Sequence, residues 1–133
     1  MILENIHCLL QFDDRGNLLA LVSKSSGRNY IVKDGCSLFR LTMTEIIENR
    51  VMPGTLALTG DMAEQIDFIQ QSQCLEIDYR NLDGMPVTVK CTIGFMDEEI
   101  HWNILIENKT RFAVSEIEYP VLLFKPYLGL NAE

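Results

Sequence analysis

From Leu75 to Glu107 apolar and polar residues alternate through three successive runs. Leu75, Ile77 and Tyr79 oppose Glu76, Asp78 and Arg80. Val87, Val89, Cys91, Ile93 and Phe95 oppose Thr88, Lys90, Thr92 and Gly94. Ile100, Trp102, Ile104 and Ile106 oppose His101, Asn103 and Glu107. Successive side chains of an extended strand point to opposite faces, so a period of two sets one row against a core and the other in water. An amphipathic helix would repeat at three and four residues instead. Asn81-Leu82-Asp83-Gly84 and the acidic Met96-Asp97-Glu98-Glu99 separate the runs and carry turn chemistry. The spacing predicts an antiparallel three-strand meander with one dry face.

The rest of the chain reads as further short strands. Ile6 to Phe12 is one, closed by the hairpin turn Asp13-Asp14-Arg15-Gly16-Asn17. Leu18 to Lys24 returns, apolar on both faces, and Tyr30 to Val32 is a short third strand after Ser25-Ser26-Gly27. Lys33-Asp34-Gly35 is a turn, and Ser37 to Thr44 another strand. Thr44 to Arg50 reads as strand or as one helical turn, and Met52-Pro53-Gly54 as a loop. Asp61 to Gln65 reads as a short helical turn and Ile66 to Gln70 as a strand. A last strand spans about Ala113 to Tyr119 and ends at Pro120. Some ten strands with regularly spaced turns predict an all-β, antiparallel two-sheet β-sandwich.

At 133 residues the chain is expected to be a single domain, residues 1–133. The net charge of −8 and scattered basic residues argue against a nucleic acid or an anionic membrane as partner. The first residues lack the pattern of a secretory leader, and no run of apolar residues is long enough for a transmembrane helix, so the cytoplasm is the default expectation. Cys8, Cys36, Cys74 and Cys91 lack zinc-knuckle or thioredoxin spacing. They read as reduced thiols, Cys91 as a buried one, with a disulfide left open.

Reactive chemistry is scarce. His7 and His101 are the two histidines, each placed among polar neighbours, and no G-x-S-x-G elbow accompanies them. Glu116 and Glu118 share a strand face, as the two carboxyls of a glycosidase would, but i and i+2 acids are more often a solvated face. Asp13, Asp14 and Asn17 match calcium ligands in type and not in spacing. Trp102 belongs by parity to the core. Tyr30 and Tyr127 are the candidate sugar contacts. Asn108-Lys109-Thr110 fits a glycosylation sequon and also a plain turn. No catalytic, cofactor-binding or metal residue is assigned.

Leu9-Leu10-Gln11-Phe12-Asp13-Asp14-Arg15-Gly16-Asn17-Leu18-Leu19-Ala20-Leu21, followed by Ser26-Gly27-Arg28-Asn29-Tyr30, resembles the opening hairpin of β-sandwich domains that precede glycoside hydrolase barrels. Val89 to Phe95, Ile100 to Asn108 and Val114-Ser115-Glu116-Ile117-Glu118-Tyr119-Pro120-Val121-Leu122 resemble their closing strands. The family is the galactose-mutarotase-like supersandwich. The resemblance implies a non-catalytic accessory domain of a glycoside hydrolase-like protein, packed on a catalytic barrel and shaping its carbohydrate site. A full supersandwich is longer than this chain, so a trimmed version or the N-terminal fragment of a larger carbohydrate-active enzyme is expected. The mutarotase His and Glu positions have no counterpart, and no functional residue is carried over.

The expected partner is a catalytic domain of the same polypeptide, met through an apolar surface at Val121, Leu122, Leu123 and Phe124, or a second copy of the chain through that surface. A stand-alone carbohydrate-binding module and a small aldose-epimerase-like enzyme using Glu116 or His101 are the alternatives.

Overall fold

The structure, a computed structural model, describes residues 1–32 and 37–125. Among these the strands are β1 (Ile2–Glu4), β2 (Cys8–Phe12), β3 (Leu18–Ser23), β4 (Arg40–Ile47), β5 (Arg50–Val51) and β6 (Leu56–Thr59). A 3₁₀ turn at Gly60–Met62 leads into β7 (Ala63–Gln71), β8 (Cys74–Leu82), β9 (Met85–Met96), β10 (Glu99–Asn108) and β11 (Phe112–Glu118). All strand pairings are antiparallel, and no α-helix occurs among the described residues. None of these residues forms a helix long and apolar enough to cross a membrane.

The predicted meander gains a fourth strand, in the order β10-β9-β8-β7. Its register follows from two-residue turns. Asp83 and Gly84, at φ 53° and 73°, join the pair Leu82 and Met85, the positive-φ geometry that matches strand twist. Leu75, Ile77, Tyr79, Val87, Val89, Cys91 and Ile93 all point inward and are buried.

The same core is closed by two further sheets rather than one, of three and four strands. The first has the order β1-β2-β3; the second is centred on β4, with β11 on one edge and β5 and β6 along the other. Between β3 and β4 the described residues pair through isolated bridges, Asn29 to Val22 and Ile31 to Phe124, and form no named strand. Leu3, Leu10, Phe12 and Leu18 from one sheet and Leu41, Met43 and Leu58 from the other join the meander residues in one core. Burying each such side chain stabilises the fold by about 1.5–3 kcal/mol.

Tyr79 sits at the centre. Its ring meets Phe39 edge-on at 4.9 Å between centroids. The turn after β2 lies directly over its hydroxyl. Asp13 Oδ1 accepts from the backbone N–H groups of Arg15 (2.8 Å) and Asn17 (2.9 Å), which shapes the turn. Gly16 takes φ 77°, and a Cβ there would lie 2.1 Å from Tyr79 Oη. Arg15 Nη2 then donates to the carbonyls of Gly60 (3.3 Å), Asp61 (2.7 Å) and Ala63 (3.2 Å), bolting the hairpin to the start of the meander.

Other expectations shift. β2 starts at Cys8, because Asn5 Oδ1 accepts from the N–H groups of His7 and Cys8 and turns the chain there. The ambiguous stretch after Thr44 is strand, reversing through Glu48 and Asn49 at φ 50° and 64°. The helical reading of Asp61 to Gln65 shrinks to the single 3₁₀ turn. Lys33-Asp34-Gly35 and Cys36 lie outside the described residues.

Candidate functional site

The segment after β11 is drawn back across the molecule by backbone pairing. Val121 N–H donates to the Leu38 carbonyl, Val32 N–H to that of Leu123, and Lys125 N–H to that of Tyr30, each at 2.8 Å. Ile31 bridges Phe124 and is itself buried. This pairing splits the apolar run. Leu122 packs against the core and Val121 is half-buried. Leu123 and Phe124 remain 41% and 46% exposed, beside Val32 at 37%. Val32 and Leu123, paired across this bridge, and Phe124, next along the chain, are thus large apolar side chains left exposed on a backbone fixed by hydrogen bonds. Val32 was not among the sequence candidates; the buried Ile31 next to it, by strand parity, was the available signal.

Tyr30 is half-buried, its N–H donating to Leu21 and its carbonyl accepting from Lys125. Tyr127 lies outside the described residues. Trp102 is half-buried against the core on β10, an edge strand, with Tyr119 edge-on at 6.4 Å.

The two histidines come near one depression, which Ile6, Gln73 and the β9–β10 turn also line. His101 Nε2 lies 3.1 Å from Glu99 Oε2, and His7 Nε2 lies 3.9 Å from Glu98 Oε1. His7 sits in the Asn5–His7 turn, not on a strand. Both contacts are solvent-exposed and worth little each. Among the described residues no group of three or more His, Cys, Asp or Glu is arranged to hold a metal ion.

The remaining candidates are tied into local structure. Glu116 and Glu118 are exposed on β11, just past a register shift at Ser115, whose hydroxyl accepts from Thr44 Oγ1 and donates to the Thr42 carbonyl. Asp13 Oδ2 accepts from Asn17 Nδ2, so both its oxygens are already engaged within the turn. Asn108 Nδ2 donates to the Phe112 carbonyl at 2.7 Å while its Oδ1 accepts from Thr110, which makes the sequon a turn. Cys8, Cys74 and Cys91 are free thiols. Burial pushes the Cys91 thiol up to about 12, so it stays protonated and unreactive near neutral pH.

No protein-family model matches this chain, and no curated protein matches it.

Proposed function

We infer that this chain is a non-catalytic β-sandwich accessory domain of a glycoside hydrolase-like protein, working by packing against a catalytic domain. The reading rests on one observation: Val32, Leu123 and Phe124 are large apolar side chains left exposed on a hydrogen-bonded backbone. Large apolar side chains left exposed on a paired backbone are candidates for a contact area. Holding it rigid lowers the ordering cost of association. The kind of partner comes from the resemblance of the opening hairpin and closing strands to sandwiches that precede glycosidase barrels. The galactose-mutarotase-like form of the sandwich belongs to the same reading.

The purified chain tests it, because a bare contact patch drives two copies together. Sedimentation velocity should show association that grows with concentration, abolished by the double change Leu123→Ser and Phe124→Ser. A strictly monomeric sample across a wide concentration range would refute the packing role.

A further inference from the structure

β10 is an edge of the meander, and its outer side has no partner strand among the described residues. Met96 and Glu99 flank the two-residue turn into it, and Lys109 N–H donates to the Pro86 carbonyl at 3.0 Å. Odd-numbered residues of β10 therefore turn their N–H and C=O groups to β9, and Ile100, Trp102, Ile104 and Ile106 turn theirs outward. No backbone group of the described residues pairs with those four. β10 matches β9 along its 10 residues without a register shift, and it contains no proline or lysine. Edges left to solvent are usually blunted by such residues, by a bulge or by a cover. At the opposite edge, β7, Gln70 Nε2 reaches across to the Ile2 carbonyl of β1.

Two rows of side chains decide what fits there. On the core side Ile100, Trp102, Ile104 and Ile106 are half-buried, whereas Val87, Val89, Cys91 and Ile93 in the neighbouring row of β9 are fully buried. One more strand with apolar residues in that row would cover what β10 leaves open. On the other face Glu99 and Glu107 stand exposed towards the two ends, with His101, Asn103 and Leu105 between them. Glu99 meets His101 and Glu107 meets Lys109, both in solvent-exposed pairs that an incoming cation can replace at little cost. A basic residue opposite each glutamate adds an ion pair, and an acidic one meets repulsion.

We propose that β10 receives an extended segment of a partner protein as a fifth strand of the meander. That segment alternates apolar and polar residues and sets a lysine or arginine opposite Glu99 and Glu107. Main-chain hydrogen bonds to Ile100, Trp102, Ile104 and Ile106 attach it, and the two rows select it. Charge favours such a partner over a second copy, because two chains of net charge −8 repel. The inference does not depend on what packs against Val32, Leu123 and Phe124.

The probe is a nine-residue peptide, blocked at both ends, that alternates valine with threonine and begins and ends in lysine, so that its valines fall in the apolar row. It is titrated into the isotopically labelled chain and followed by amide NMR. Saturable shifts and slowed amide exchange should appear at Ile100, Trp102, Ile104 and Ile106. N-methylation of two valines, whose N–H groups face β10, should abolish binding, whereas N-methylation of two threonines, whose N–H groups face solvent, should not. Glutamate in place of both lysines should weaken binding about tenfold, and the exposed changes Glu99→Lys and Glu107→Lys together should reverse that preference. Four results would overturn the assignment. They are no saturable shift, equal binding of the valine-methylated peptide, indifference to the charge of the peptide ends, or protection of these four amides by rising chain concentration alone, which would make a second copy the occupant. Sedimentation reads the contact at Leu123 and Phe124 while these amides read the edge, so the pairing and the packing role can fail separately.

Discussion

Removing the Tyr79 hydroxyl should stabilise this protein. The hydroxyl is buried in the core and makes no hydrogen bond to any described residue. Burial raises its pKa well above the ordinary tyrosine range, with Cys91 and Asp13 adding to the rise. Leaving a buried polar group unpaired costs about 1–3 kcal/mol. Tyr79→Phe removes that cost and keeps the ring against Phe39. The expected gain is about 1 kcal/mol, read as a rise of roughly half a molar in the urea midpoint at unchanged slope. A loss of stability of about that size would show that the hydroxyl has a partner, and the reasoning would fail.

Gly16 turns this into a sharper experiment. Gly16→Ala should cost about 1–2 kcal/mol for its left-handed φ. Its Cβ overlaps Tyr79 Oη, and relieving such overpacking adds about 1–3 kcal/mol. Without the oxygen, the next atoms are Tyr79 Cζ at 3.1 Å and Ile77 Cδ1 at 3.3 Å, contacts that small shifts can relieve. Gly16→Ala should therefore cost about 1–3 kcal/mol less in the Tyr79→Phe background. Additivity within about 0.5 kcal/mol would mean that the oxygen is not what the glycine makes room for.

Alkaline pH should unfold the chain early. Cys91, Tyr79 and Tyr119 keep their protons when folded, chiefly through desolvation, while the unfolded chain sheds them from about pH 9 upward. The unfolded state then binds fewer protons, so stability falls as pH rises, the Cys91 share going between 9.0 and about 12; urea midpoints should decline over that window and decline less in Tyr79→Phe. Arg15→Ala should cost about 1.5–2 kcal/mol by losing the hydrogen bonds to Gly60, Asp61 and Ala63, and Arg15→Lys should not restore it, because Nη2 makes all three and the lysine ammonium stops one bond short of its position. Calorimetry settles both, and equal stability of Arg15→Ala and the natural chain would show the bolt to be idle. Added sodium chloride should strengthen self-association, since two copies of net charge −8 repel and the contact is apolar; weakening by salt in sedimentation would instead indicate an ion-paired contact.

The meander could be read from residue order because long strands with one dry face have to alternate, and because Asp83-Gly84 fixes where β8 and β9 reverse. Where both of two adjacent residues go inside, that logic fails. Leu38 and Phe39 are both fully buried, so the strand expected from Ser37 begins only at Arg40. β6, Leu-Ala-Leu-Thr between Gly54 and Gly60, is too short to display a period at all. The surface was harder still. Which of Val121 to Phe124 faces out is decided by pairing with Tyr30 to Val32, far earlier in the chain, and no local pattern encodes it. The outer face of the meander was legible as polar, yet whether Arg80 and Lys90 are free cations depends on Asp67 and Glu76 falling beside them across the sheet. A register slip of one residue would send Asp78 and Lys90 into the core and Ile77 and Cys91 into water, erasing core and charged face together. The same two-residue turns that align the dry face therefore also assemble the charged one.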